Sequence, residues 1–197
     1  MRATPSRPAL KPSRSFGRYR DSVDAPLAMV VAIWVVFGVS VLLPFLRIQR
    51  LGISARTVEG LVGILFAPLI HASLFHTAAN TIPLFILMLL LVIQADRSWP
   101  RPFVLIWMGT GLGTWVIGRA GAVHVGASGL VYGLLTYLIA SGIYQRNWRS
   151  MLVAGFVFLT YGSLLWRMFP HYGYVSWESH LCGAVVGVLI ASMARHR

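Results

Sequence analysis

Six long runs of apolar residues constrain this chain more than any other feature of its sequence. They cover residues 26–46, 74–94, 102–120, 128–145, 151–169 and 179–194. Each run approaches the roughly 20 residues that a helix needs to cross the hydrocarbon core of a bilayer. Only 11% of the residues are charged, against about 25% in an average soluble domain. The runs therefore predict an all-α integral membrane protein with six transmembrane helices.

The basic residues lie between these runs, and their placement predicts the orientation of the chain. If the N-terminus is cytoplasmic, twelve of the 17 Lys and Arg residues fall on the inner side and five on the outer side. Cytoplasmic segments carry an excess of Lys and Arg, so both termini are expected in the cytosol. The net charge of +12 does not indicate nucleic-acid binding, because the charges are scattered rather than gathered on one face.

The sequence divides into a short tail and one membrane domain. Residues 1–25 are rich in Pro, Ser and Arg and contain no apolar run, so a disordered basic cytoplasmic tail is expected there. Residues 26–197 are expected to form one six-helix domain. A tail kept in the cytosol by its charge favours a bacterial plasma membrane as the location. An organellar membrane is the alternative, because an Arg- and Ser-rich start is also found in mitochondrial transit peptides.

Three groups of polar residues lie at or near the ends of these apolar runs. They are His71, His76 and Asn80, then Ser128 and Tyr132, then Glu178 and His180. Under the predicted topology the second, fourth and sixth helices all begin at the outer face of the membrane. The three groups are therefore expected to meet in one layer below that face. Polar side chains inside membrane spans are costly and are candidates for function.

Glycines four residues apart follow two of these groups. The pairs are Gly129 with Gly133 and Gly183 with Gly187. Small residues at this spacing let helices in a membrane pack closely. If the fourth and sixth helices meet through these glycines, the Ser128 hydroxyl and the His180 imidazole come within reach of each other.

A serine beside an imidazole is the minimal activated nucleophile. His76 and Asn80 offer side-chain donors that could stabilise an oxyanion, together with the backbone N–H of Ser128 at a helix start. The sequence places no carboxylate on an inner helix face to orient His180, so a dyad is expected. Tyr132 could hold the imidazole by stacking against it.

Each of these features also has a purely structural interpretation. Ser128 alone would cap a helix, and glycine pairs are common in packed membrane helices. His76 and Asn80 could form hydrogen bonds between helices. His71, His76 and His180 could instead bind a metal ion, although no carboxylate or second cysteine joins them.

The remaining polar residues are expected to have ordinary roles. His124 and His171 fall in loops and are expected to be solvated, whereas Trp177 and Glu178 suit the membrane interface. The single cysteine, Cys182, is expected to be a packing residue and excludes an intramolecular disulfide.

Taken together, these motifs resemble the rhomboid family of intramembrane serine proteases. The resemblance covers the six-helix core, about residues 26–195. The matching residues are Gly126, Ser128 and Gly129 for the G-x-S-G motif, His71, His76 and Asn80 for the H-x-x-x-x-H-x-x-x-N motif, Tyr132 four residues after the serine, and His180 with Gly183 and Gly187 in the last helix.

The resemblance implies that Ser128 is the nucleophile and His180 the base, with His76 and Asn80 as oxyanion partners and His71 as a structural residue. It also implies cleavage of single-span membrane proteins at or near their transmembrane segment, without a cofactor or metal. Many members carry a Trp-Arg pair in the first loop, and the first loop of this sequence has none.

Two other functional classes stay open. A catalytically inactive relative would bind membrane proteins without cutting them. A small transporter would need midplane charges or broken helices, whereas the polar groups here are expected near one face. The sequence does not predict the oligomeric state.

Overall fold

The structure, a computed structural model, describes residues 14–169 and 176–194. In this part of the chain the α-helices are α1 (Arg14–Leu42), α2 (Gly63–Phe66), α3 (Leu74–Ala95), α4 (Pro100–Ile117), α5 (Ser128–Gln145), α6 (Trp148–Tyr161) and α7 (Trp177–Met193). Strands β1 (Ile53–Ser54) and β2 (Val123–His124) form one antiparallel pair. Short 3₁₀ turns cover 44–46, 48–51, 59–61, 67–69, 96–98 and 162–168. The fold is therefore all-α apart from that small pair, as the sequence predicts.

The start of α1 differs from the sequence prediction. The helix begins at Arg14, so residues 14–25 are helical where a disordered tail was expected. Pro12 is the last proline before this segment and Pro26 is the next, so no proline disfavours a helix between them. The rest of the predicted tail, residues 1–13, lies outside the described residues.

The apolar run 151–169 also differs, because its α-helix is shorter than expected. The α-helix ends at Tyr161, and a 3₁₀ segment continues over Gly162–Met168. Gly162 stands at the C-cap, where its N–H donates to the Phe158 carbonyl. The 3₁₀ segment places Leu164 and Trp166 in the wall of a cavity that Ser128 also lines.

Among the described residues, three helical segments are long and apolar enough to cross a membrane: Val23–Leu42, Leu74–Ser98 and Trp148–Trp166. Their outer faces carry large apolar side chains that are exposed, such as Leu159 at 84%. A soluble protein rarely exposes apolar surface of this extent. The helices therefore indicate an integral membrane protein.

Helix α5 lies at the centre of the bundle. Thirteen of its 18 residues are buried, and it packs against α3, α4, α6 and α7. Apolar and small residues lie on all of its faces, as is typical of a helix that contacts protein on every side. The element with Ser128 at its N-terminus is thus the most enclosed in the fold.

Helices α5 and α7 approach so closely that their backbones touch. A Cβ added at Gly183 would overlap the carbonyl oxygen of Gly129, and one added at Gly187 would overlap that of Gly133. Thr136 Oγ1 also donates to the Ala184 carbonyl across the interface, at 2.9 Å. The expected glycine contact between these two helices is confirmed.

The segment between α1 and α3 packs against α4 and the turn before α5. Trp115 Nε1 donates to the Thr57 carbonyl at 2.8 Å, and Trp107 Nε1 donates to the Ile64 carbonyl at 3.0 Å. Strand β1 of this segment pairs with β2, which immediately precedes the Ser128 turn. The segment therefore supports that turn from outside the helical core.

Candidate active site

Ser128 opens α5, but its hydroxyl does not cap the helix. The N-cap is Ala127, and no side-chain cap bond is formed there. Instead, Ser128 Oγ lies 2.9 Å from His180 Nε2. The sequence left a helix cap and a nucleophile as alternatives for Ser128, and its hydroxyl makes no cap bond in the structure.

The turn before Ser128 is held by hydrogen bonds from its own backbone. Gly126 has a φ of +115°, which disfavours any residue with a Cβ, and its N–H donates to the Ala67 carbonyl at 2.9 Å. The next N–H, from Ala127, donates to His71 Nε2 at 3.3 Å. These bonds fix the direction in which the Ser128 side chain leaves the turn.

His71 precedes α3 and is almost fully buried. Burial, with a smaller contribution from His76, lowers the pKa of the His71 imidazole to about 4. The ring is therefore neutral near pH 7, and a neutral ring nitrogen can accept the Ala127 N–H. Through this contact His71 supports the backbone of the turn before Ser128.

His180 lies in the first turns of α7 and is held against an aromatic ring. Its imidazole stacks on Tyr132, with ring centroids 4.2 Å apart and an interplanar angle of 13°. The Tyr132 hydroxyl donates to the Leu164 carbonyl at 2.8 Å, which anchors the ring. The tyrosine one turn after Ser128 thus orients the imidazole that contacts Ser128.

His76 and Asn80 lie on the face of α3 that looks toward Ser128. A Cβ at Gly126 would lie 2.6 Å from His76 Cε1, so the imidazole packs directly against the turn. Asn80 Nδ2 donates to the His76 carbonyl at 2.9 Å, within the same helix. This bond does not support the alternative in which Asn80 links two helices.

These side chains line one cavity of about 1480 Å³. Its walls come from α3, the loop before α5, α5 itself, the segment after α6 and the start of α7. The polar residues that face it include His76, Asn80, Ser128, Tyr132 and His180. The three polar groups of the sequence therefore meet in one layer, as the helix directions suggested.

The histidines of this layer do not form a metal site in the described part of the chain. No three His, Cys, Asp or Glu side chains among those residues stand close enough to hold a metal ion. His71 Nε2 accepts a backbone N–H and His180 Nε2 contacts Ser128, so one nitrogen on each ring is already engaged.

Two further contacts were not anticipated from the sequence. Arg119 Nε lies 2.7 Å from Glu178 Oε1, and His124 Nδ1 lies 2.5 Å from Ser176 Oγ. The expectation that His124 is solvated is wrong, because the residue is buried; His171 lies outside the described residues. In the sequence, the sign of the first contact was Glu178 itself, a glutamate among the first residues of an apolar helix. The sequence alone does not identify Arg119 as its partner.

Comparison with known proteins gives a consistent result. The rhomboid-domain family model matches residues 58–197, a range that includes every candidate site residue above. An uncharacterised protein of Mycobacterium tuberculosis is 39% identical over 153 residues, which is 74% of this chain and 64% of the relative. One from Mycobacterium leprae is 36% identical over 149 residues, or 71% of this chain and 59% of the relative. The chain thus spans less than two thirds of the length of these relatives.

Proposed function

The chain belongs to the rhomboid family, and we propose that it is an intramembrane serine endopeptidase using a Ser128–His180 dyad. The observation that carries the proposal is the 2.9 Å contact between Ser128 Oγ and His180 Nε2. That distance lies within the range expected of a nucleophile and its general base. Both groups face a cavity with room for a polypeptide segment.

In the proposed reaction, His180 Nε2 accepts the hydroxyl proton as Ser128 Oγ bonds to the scissile carbonyl carbon. The carbonyl oxygen becomes an oxyanion, and its collapse breaks the C–N bond. His180 then returns the proton to the leaving amine. A water molecule, deprotonated by His180, attacks the resulting ester and releases the new carboxyl terminus and Ser128.

The substrates proposed are single-span membrane proteins, cut at or near the transmembrane segment. The decisive test incubates the purified protein with a panel of such substrates and with a fluorophosphonate, using Ser128→Ala as the control. Cleavage and labelling by the wild type alone would support the proposal. Binding of panel members with neither cleavage nor labelling would instead assign the protein to the inactive class.

His76 and Asn80 are proposed to stabilise the oxyanion, together with the Ser128 backbone N–H. Loss of one such donor lowers kcat by roughly 10²–10³-fold in soluble proteases. We expect a partial loss of that order for His76→Ala or Asn80→Ala, measured as kcat in the cleavage assay. Thr81→Ala on the same helix is the matched control, because Thr81 bonds to Trp34 and lies outside the cavity. Wild-type turnover in the His76→Ala/Asn80→Ala double variant would contradict this role.

We further propose six membrane spans, formed by α1, α3, α4, α5, α6 and α7, with both termini in the cytosol. The support is the count of twelve inner against five outer basic residues. A bacterial plasma membrane is the proposed location, which agrees with the mycobacterial relatives.

This topology predicts which loops are reachable from outside the cell. Ala120, in the loop before α5, and Ser98, in the 3₁₀ turn between α3 and α4, are both exposed and lie on opposite sides of the proposed membrane. In a Cys182→Ala background, Ala120→Cys is expected to react with an impermeant maleimide on intact cells, whereas Ser98→Cys reacts only after lysis. The reverse pattern would place the Ser128 layer on the cytoplasmic side and contradict the proposed orientation.

A further inference from the structure

An ion pair joins the loop before α5 to the first turn of α7. Arg119 Nε lies 2.7 Å from Glu178 Oε1, and the Glu178 side chain is only 2% exposed. A carboxylate buried to this extent is costly unless a cation accompanies it. Arg119, whose side chain is 46% exposed, supplies that cation from the cavity wall.

A second contact links the same two segments. His124 Nδ1 lies 2.5 Å from the hydroxyl of Ser176, the residue immediately before α7. His124 also pairs with Ile53 between β1 and β2. Burial lowers the pKa of His124, although the Glu178 carboxylate opposes this effect. A neutral His124 can still form the bond to Ser176, so the two segments are tied at two points.

These two segments lie next to the two reacting side chains in the sequence. Glu178 precedes His180 by two residues in the first turn of α7, and His124 precedes Ser128 by four. The glycine contacts fix the two helix axes, but the end turn of a helix frays unless its ends are held. The pair at Arg119 and Glu178 holds the turn that leads into His180.

We propose that Arg119 and Glu178 are positioning residues that keep His180 at hydrogen-bonding distance from Ser128. This inference rests on the proposed function of that dyad. Glu178 is too deeply buried to touch a substrate, so its effect passes through the helical turn that it shares with His180. A carboxylate in the first turn is also stabilised by the helix dipole. A misplacement of about 1 Å can lower a rate about 10²-fold, so loss of the pair affects turnover.

The test compares Glu178→Gln and Arg119→Gln with the wild type. Fluorophosphonate labelling reports the reactivity of Ser128 without any peptide substrate, and the cleavage assay separates kcat from KM. Both variants are expected to lower the labelling rate and kcat by roughly 10- to 10²-fold. KM is expected to stay nearly unchanged in Glu178→Gln, because Glu178 does not line the cavity. Glutamine matches the shape of glutamate and carries no charge. Glu178→Gln therefore leaves no charge buried at position 178, and the remaining cation, Arg119, is partly exposed.

A conservative variant separates positioning from folding. Arg119→Lys retains a cation and is expected to keep most of the wild-type labelling rate and kcat. Glu59→Gln and Arg50→Gln, in the loop between α1 and α3, are charge-matched controls expected to behave as wild type. Thermal unfolding of each variant gives the folded fraction at the assay temperature.

Wild-type labelling and turnover in folded Glu178→Gln and Arg119→Gln proteins would overturn the inference. An equal loss in Arg119→Lys would also overturn it, as would a loss that merely follows the unfolded fraction. If the wild type itself is neither labelled nor active, the proposed function fails and this inference fails with it. The wild-type labelling reaction therefore distinguishes the two failures.

Discussion

Replacing Ser128 with alanine is expected to abolish cleavage and fluorophosphonate labelling while the protein still folds into the membrane. Loss of the nucleophile lowers kcat on the order of 10⁶-fold in a soluble serine protease, and a loss of that order would leave no detectable activity here. The fold should tolerate the change, because the hydroxyl makes no cap bond. The hydrogen bond to His180 contributes about 1 kcal/mol to the free energy of unfolding. Gel fluorescence of the labelled protein and thermal unfolding measure the two effects.

The matched control for this variant is Ser141→Ala. Ser141 is also a buried serine of α5, but it lies outside the cavity. It is expected to leave labelling and cleavage unchanged. Equal labelling of the wild type and the folded Ser128→Ala protein would show that another residue reacts. Cleavage that persists in Ser128→Ala would return the serine to a structural role.

Replacing His180 with alanine is expected to suppress both readouts almost as strongly. Ser128 remains in place in this variant, but it loses the base 2.9 Å from its hydroxyl. In subtilisin, removal of the histidine alone costs about as much as removal of the whole triad. The labelling rate is the sharper measurement, because it depends on the nucleophile and not on recognition of a membrane substrate.

The Cys182→Ala variant is the control for His180→Ala, because it changes another buried residue of α7. Cys182 lies two residues after His180, is buried, and does not line the cavity of the dyad. Its replacement is expected to preserve labelling and turnover. Labelling of His180→Ala at the wild-type rate would contradict the dyad, because it would show that Ser128 needs no imidazole for its reactivity.

Much of this arrangement could be predicted from the sequence, because membrane helices leave strong local signals. The apolar runs give the helices, and the run at 128–145 coincides with α5. The glycine spacing predicts the contact of α5 with α7, and that contact determines which polar residues can meet. Ser128 and His180 are therefore neighbours for a reason that is visible in the sequence.

Other parts of the site depend on contacts between distant segments and left no comparable signal. Whether Glu178 faces lipid headgroups or the protein interior depends on where the loop containing Arg119 folds. The burial of His124 depends in turn on the pairing of β1 with β2, two strands of two residues each. Pairs as short as these have no recognisable hydrophobic alternation, which needs at least about four residues.

The backbone contact between α5 and α7 has a consequence for the response to bilayer thickness. Tilting is one way in which helices adapt to a hydrocarbon layer thinner than their apolar length, and lipid acts on the exposed faces of outer helices such as α1 and α6. Helix α5 is largely shielded from lipid and touches α7 through glycines that leave no gap. The two helices should therefore tilt together, so that Ser128 and His180 keep their separation while the outer helices move around them.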